Sequence, residues 1–354
     1  MSVKLKFWSH SLKLAHQWTI ARELKPDGTG GTLTEEVVFV ELIDDDGVVG
    51  LGETSPSERY KETTQTVLSF LQKIDPARLS FRDVTGSMAY LDKVAQGNAA
   101  AKCAVNVALI DGAAKIANSS VHDYLGLGFT EGRHVTSFSI GIDTPDTVRE
   151  KVRMAEPYPV LKLKVGSPHD IANLAALREI APSKPIRVDA NEAWKTKEQA
   201  LDQIERLASD GNIQFVEQPM PVNTPKSDWA WLKAHSPLPI MGDESYVNAG
   251  DIERCAGFFH AVNVKLVKAG GITGAFEALK IARRAGLKTM LGCMIESSLL
   301  ITAAAHLAEL TDYLDLDGNL LITNDPFHGV SAVRGVLSFA NAPTKTGLQV
   351  AARG

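Results

Sequence analysis

A chain of 354 residues, 44% apolar and 22% charged, has the composition of an ordinary globular protein and the length of about two domains. Its net charge of −5, with no segment that gathers Lys and Arg, argues against nucleic-acid binding, and no apolar run reaches the roughly 18 residues a membrane span needs. Cys103, Cys255 and Cys293 form no CxxC or CxxH pattern and read as reduced thiols; the N-terminus lacks the apolar core of a signal peptide, so the expected location is the cytoplasm.

Residues 3–15 alternate polar and apolar side chains and predict a strand. Residues 36–43 and 48–53 predict two more, joined by Asp44-Asp45-Asp46-Gly47 as a hairpin turn. Between the first two strands, residues 22–31 are rich in Gly and Pro and read as a mobile loop. From residue 58 to about 119 the pattern is helical, and the low charge of 99–117 predicts a well-buried helix. From His134 onward short β-rich runs alternate with amphipathic segments. The runs 134–140, 160–165, 185–189, 213–217, 239–243, 261–266, 288–292 and 313–316 make eight strands joined by crossovers of similar length. Alternating strands and helices imply a parallel sheet, and eight such units imply a TIM-type (β/α) barrel behind an N-terminal α+β domain. The expected division is 1–125 for the first domain and 126–330 for the barrel, with 331–354 packing back on the first domain.

Charged residues close several of these strands at nearly constant spacing. The steps from Lys162 to Asp189, Glu217, Asp243 and Lys268 are 27, 28, 26 and 25 residues, one strand plus one crossover helix each. Barrel active sites lie at the C-terminal strand ends, so these groups converge there. Asp189, Glu217 and Asp243 end three neighbouring strands, and an oxygen-only ligand set favours a hard ion, Mg²⁺ with Mn²⁺ as a substitute, over Zn²⁺. Lys162 and Lys164 are two apart on one strand and share a face. Lys265 and Lys268 are three apart, so they lie on different faces or flank a bend. Cations beside a metal can neutralise a carboxylate while a lysine takes the proton α to it.

The KxK at Lys162–Lys164, Asp189 followed by Asn191, the VEQP at Glu217, the DES at Asp243 and the KxxKxGG from Lys265 resemble the enolase superfamily, and within it the muconate-lactonizing subgroup, in order and spacing over nearly the whole chain. The resemblance implies an enolase-like modified barrel with a capping domain. It implies one Mg²⁺ per subunit on Asp189, Glu217 and Asp243, with Lys164 and Lys268 as opposed acid/base catalysts. Lys162 would assist at the substrate carboxylate, with Asn191, Glu244 and Lys265 as supporting groups. The eighth run, YLDLDGNL, carries Asp315 and Asp317 two apart and resembles the DxD of the dipeptide epimerases, whose acids hold the free α-ammonium of a dipeptide. The seventh, MLGCMIESS, is similar to that family too, with Cys293, Met294 and Glu296 lining the pocket.

The implied activity is an isomerase reaction: Mg²⁺-dependent proton transfer at the α-carbon of the C-terminal residue of a dipeptide, of the L-Ala-D/L-Glu type met in murein peptide metabolism. In that family the capping-domain loop covers the site. Arg22 and Lys25, with Arg59 after them, are the candidate cations for the substrate side chain. The partners implied are a small dipeptide and a second copy of the chain, with neither nucleic acid nor membrane. A cycloisomerase or o-succinylbenzoate synthase-type lyase would share the metal site but gives no reason for Asp315 and Asp317. A non-catalytic metal-binding barrel gives no reason for two lysine pairs.

Overall fold

A computed structural model describes residues 3–25 and 30–354 of the chain. Residues 26–29, in the middle of the Gly- and Pro-rich segment expected to be a loop, lie outside the described residues. The N-terminal part opens with an antiparallel sheet of β1 (Val3–Trp18), β2 (Thr32–Asp44) and β3 (Val49–Thr54), in that order. The β2–β3 turn is held by Asp44, whose Oδ1 accepts the amides of Asp46 and Val48 at 3.0 and 2.8 Å. Helices α1 (Thr64–Leu71), α2 (Val84–Val94), α3 (Ala99–Ile116) and α4 (Val121–Tyr124) follow. As its composition predicts, α3 is buried along almost its whole length. It lies close against β3 because β3 is glycine-rich: a Cβ on Gly52 would fall 1.9 Å from the carbonyl oxygen of Ala104. No larger residue fits there without moving the helix off the sheet.

Eight parallel strands then form one sheet in chain order. They are β4 (Phe138–Ile140), β5 (Leu161–Lys164), β6 (Ile186–Asp189), β7 (Ile213–Glu217), β8 (Ile240–Gly242), β9 (Ala261–Lys265), β10 (Lys288–Gly292) and β11 (Tyr313–Asp315). The crossovers carry α5 (Pro145–Met154), α6 (Asp170–Ile180), α7 (Lys197–Ala208), α8 (Lys226–His235), α9 (Ile252–Ala256), the short α10 (Leu266–Ala269), α11 (Ile272–Arg284) and α12 (Ser298–Ala305). Two of the expected runs, 213–217 and 288–292, are strands over their whole length, and the other six strands are shorter than their runs. The first run, 134–140, contributes only three residues to β4. Its earlier residues close the ring, with Thr136 bridging Leu314 and the Ser137 amide donating to the Leu314 carbonyl at 3.1 Å.

The C-terminal segment is more regular than its weak periodicity suggests. Strand β12 (Phe327–His328) pairs with β15 (Ala351–Ala352), and β13 (Ser331–Val333) with β14 (Val336–Ser338). The Leu348 amide donates to Asp111 of α3 at 2.8 Å, and Gly347 exchanges backbone bonds with Ser119 and Val121. Among the described residues, no helix is long and apolar enough to cross a membrane.

Candidate active site at the C-terminal end of the barrel

Strand register decides which side chains meet. Lys164 pairs with Asp189 across β5 and β6, and Asp189 with Glu217 across β6 and β7, so all three stand in one layer at the strand ends. Asp243 follows the last residue of β8. The backbone leaving β6 and β7 is strained, with φ of +43° at Asn191, +69° at Glu192 and +37° at Gln218. Non-glycine residues in that region cost of order 1 kcal/mol each and concentrate at functional sites. Here they turn the chain sharply while keeping Asp189 and Glu217 aimed inward.

The acids are fully buried and bridged by ammonium groups. Lys162 Nζ lies 2.6 Å from Asp315, 2.8 Å from Glu217 and 3.1 Å from Asp189. Lys164 Nζ lies 2.6 Å from Asp189. Burial opposes ionisation of Asp189, yet Lys164 and Lys162 hold it below the usual carboxylate range. Glu217 goes the other way: burial, then the charge of Asp189, pushes it up to about 8. Its Oε1 accepts from Asn263 Nδ2 at 2.7 Å, while among the described residues Oε2 has no well-aligned hydrogen bond and pairs with the Lys162 ammonium 2.8 Å away. Asn263 fits because β10 has glycine beside it; a Cβ on Gly292 would sit 2.5 Å from its Oδ1.

Among the described residues, no three His, Cys, Asp or Glu side chains already stand around a common point at ligating distance, since lysines occupy the space between the acids. The donor set nevertheless fits a hard divalent ion. It is oxygen-only, it comes from three adjacent strand ends, and it leaves buried Glu217 short of positive charge.

The sixth-strand lysines take the second of the two expected arrangements. Strand β9 ends at Lys265 and one turn of α10 follows, so the two lysines flank a bend and both reach Asp243. Lys265 Nζ is 2.9 Å from Asp243 Oδ2, its side chain is 11% exposed, and it lines the cleft. Lys268 has 0% side-chain exposure and does not line the cleft. Its Nζ donates to the Asp243 carboxylate at 2.5 Å and to the carbonyls of Asp243 and Asn263 at 2.7 and 3.2 Å, beneath the Tyr246 ring. The bend reverses the expected order: Lys265 faces the cleft and Lys268 stands behind Asp243. On β5, Lys162 and Lys164 both line the cleft, as the shared-face rule requires.

The cleft lies between the strand ends and the N-terminal sheet. Asp315 and Asp317 both line it, but they are not equivalent. Asp315 is engaged by Lys162 and by Ser137 Oγ at 2.7 Å. Asp317 accepts the Ser139 amide at 2.6 Å and, among the described residues, has no cation at ion-pair distance. Burial and the Asp315 charge raise it to about 6. Cys293 and Met294 line the cleft; Glu296 does not, because its carboxylate folds back onto the Met294 amide at 2.9 Å.

On the opposite wall, the Arg22 guanidinium contacts Glu244 and lies 3.6 Å from Glu192, and Arg59 grips Glu192 in a fork at 2.7 and 2.8 Å. Lys25 is exposed and faces a neighbouring surface cavity instead. Asn191 contacts Glu244, and both line the cleft.

Three participants were not singled out from the sequence. Arg187 lies beside Lys162 inside the barrel, with Nε donating to Gln214 at 3.0 Å and its guanidinium over the Tyr313 ring. The shared-face rule applied to Arg187-Val-Asp189 would have found it. Glu192, the anchor for Arg59, and Asn263, the donor to Glu217, carry no local signal; only the fold brings their partners to them.

The chain matches two family models: the mandelate racemase/muconate lactonizing enzyme N-terminal domain over residues 21–126, and the enolase C-terminal domain-like family over 146–350. It is 59% identical to the L-Ala-D/L-amino acid epimerase of Pedosphaera parvula, over 99% of this chain and 100% of that one. The structure superposes on the substrate-liganded L-Ala-D/L-Glu epimerase of Bacillus subtilis with a TM-score of 0.90 at 26% identity, covering 100% and 99% of the two chains. It also superposes on a dipeptide epimerase of Cytophaga hutchinsonii complexed with Mg and D-Ala-L-Val, with a TM-score of 0.89 at 28% identity and coverage of 100% and 96%.

Proposed function

Because this chain belongs to the enolase superfamily, with the domain pair of the mandelate racemase and muconate lactonizing enzymes, we propose that it is a dipeptide epimerase that inverts the α-carbon of the C-terminal residue. The observation that carries this reading is the opposition of Lys164 and Lys265 across the cleft. Strands β5 and β9 are four apart in a ring of eight, which places them on opposite sides of anything held at the centre.

Asp189, Glu217 and Asp243 are the residues that would hold the divalent ion, one Mg²⁺ per chain with Mn²⁺ able to replace it. When bound, that ion supplies positive charge to a substrate carboxylate. Lys162, fixed by three acids, adds a second positive charge on the same side. Lys164 removes the α-proton from one face, and the charge of the resulting enediolate is stabilised where it develops. Lys265 delivers a proton from the other face and the carbon inverts. Working in reverse, the pair exchange roles. Lys265 rather than Lys268 takes the second role because only Lys265 reaches the cleft; Lys268 holds Asp243 in place.

Asp317, with acceptor capacity to spare, receives the dipeptide ammonium, and Asp315 fixes Lys162 beside it. A lyase of the same subgroup brings Asp317 no cation. The substrates are L-Ala-L-X dipeptides of the kind released from murein, with L-Ala-L-Glu included, turned over in the cytoplasm.

A dipeptide panel incubated with Mg²⁺ in D₂O and read by mass spectrometry tests the reading. Substrates gain one deuterium at the α-carbon of the second residue. Exchange absent from every dipeptide would refute it.

A further inference from the structure

We propose, on the reading given above, that Glu53 is a positioning residue that sets the width of the substrate cleft by tying its two walls together. Glu53 is the penultimate residue of β3 and is fully buried. Its carboxylate crosses from the N-terminal sheet to the barrel and caps α12. Oε1 accepts the Ser297 amide at 2.8 Å, and Oε2 accepts the Ser297 hydroxyl at 2.5 Å and the Leu300 amide at 3.0 Å.

The rest of that helix terminus is satisfied too: Asp325 takes the Ser298 amide and Ser297 Oγ the Leu299 amide. A serine cap takes only one of these amides, here that of Leu299, and leaves the others to acceptors from elsewhere. A carboxylate from β3 adds something a local cap cannot, a fixed distance between the two elements. Among the described residues no cation lies within ion-pair distance of Glu53, so the bonds to α12 account for its place. Burial, only partly offset by the Ser297 and Leu300 donors, lifts it to about 7.

Both ends of this link lead straight into the cleft. Ser55, Pro56 and Ser57 follow Glu53 and line the cap wall, and Met294 and Ile295 precede Ser297 and line the barrel wall. One residue on each side, Thr54 and Glu296, separates the link from the cavity. Met294 is in turn 3.9 Å from Lys265 Nζ. A small shift of α12 relative to β3 therefore moves the cap wall against the wall that carries a base, and misplacement by about 1 Å can cost on the order of 100-fold in turnover efficiency.

The test is Glu53→Gln, which keeps the volume but turns an amide NH₂ toward donors. Two readouts are taken. Hydrogen exchange by mass spectrometry needs no substrate: faster exchange is expected in residues 54–60 and 293–301 with the rest of the chain unchanged. In turnover, KM for the best dipeptide is expected to rise roughly tenfold while kcat stays within about threefold. A purely structural role predicts the opposite split, with lower apparent kcat at unchanged KM and faster exchange throughout α3 and the sheet. Should Glu53→Gln fail to fold, Ser297→Ala removes a single bond and is expected to shift the same segments, with a rise in KM of about threefold. Unchanged exchange in those segments, or an unchanged KM, overturns the proposal. A wild-type enzyme that exchanges no α-proton removes the epimerase reading, and the hydrogen-exchange arm still decides the role of Glu53.

Discussion

On β5, Lys162 and Lys164 stand two residues apart on a straight strand, and both reach the cleft. On β9, Lys265 and Lys268 stand three apart across a strand-to-helix bend, and only the first reaches it. Each pair contacts the acids, yet the partners differ. Lys162 spans Asp189, Glu217 and Asp315, and Lys268 is sealed behind Asp243 with 0% of its side chain exposed. Lys164 and Lys265 thus face the cleft with one carboxylate each beside them, while Lys162 is pinned by three acids and Lys268 by Asp243 and two backbone carbonyls. Residue type sets what a lysine can do, and backbone path sets which lysine does it.

The largest effects are expected at the two lysines that face the cleft with one carboxylate each beside them. Lys164→Ala and Lys265→Ala are expected to lower epimerisation by about 10³-fold or more, since each removes a proton-transfer group. Steady-state rates on L-Ala-L-Glu and its epimer check this, and a loss below about tenfold in either variant contradicts the assignment. The acids between the pairs come next. Chelation of divalent ions should abolish turnover and Mg²⁺ should restore it; Glu217→Gln should raise the Mg²⁺ concentration needed for half-maximal rate by roughly 10–100-fold. Activity insensitive to chelator would contradict the metal assignment.

The pinned members sharpen the comparison. Lys268→Met leaves buried Asp243 with fewer partners, so a destabilisation of about 3 kcal/mol is expected, visible as a lower denaturation midpoint. Turnover at saturating Mg²⁺ should nevertheless remain within about tenfold of wild type. Asp317→Asn is expected to raise KM by about tenfold with a smaller effect on kcat, through loss of a charge facing the substrate ammonium.

The smallest effect on chemistry is expected far from both strand ends. His306 is fully buried against His122, with its Nδ1 2.8 Å from His122 Nδ1 and its Nε2 3.0 Å from the Leu348 carbonyl. Burial lowers it to about 3. Because the folded state binds this proton less readily than the unfolded chain, stability contributed by the neutral ring is complete above about pH 6.5. It falls as pH drops toward 3, by up to roughly 4 kcal/mol. Denaturant midpoints across pH 4–7 for wild type and His306→Gln check the slope; equal slopes contradict it, and kcat at pH 7 should not change with His306.

The sequence carries the barrel and most of this site because both depend on repetition. Lys162, Lys164, Asp189 and Glu217 are legible from a regular strand–helix period and from the two-residue repeat of a strand. Asp243 and the lysines after it are less so. Strand β8 is three residues long and β9 runs into a helical turn, so neither period survives there. That is why Lys268 is expected in the cleft and Lys265 is found in it. The partnership of Glu53 with α12 and that of Arg59 with Glu192 join residues 244 and 133 positions apart. No local pattern encodes such pairs. Glu296 reads as a pocket residue in its motif, but its carboxylate satisfies the Met294 amide, a bond that only the folded loop defines.

The central claim, two bases facing each other at Lys164 and Lys265, is tested most directly by stereospecific α-proton exchange. L-Ala-L-Glu and L-Ala-D-Glu are each incubated in D₂O with the Lys164→Ala, Lys265→Ala and Lys268→Met enzymes, and deuterium uptake without inversion is followed by NMR. Lys164→Ala and Lys265→Ala are each expected to exchange one epimer only, opposite epimers in the two variants, while Lys268→Met exchanges both. If Lys265→Ala exchanges both epimers and Lys268→Met exchanges only one, the second base is the buried lysine and the account is contradicted.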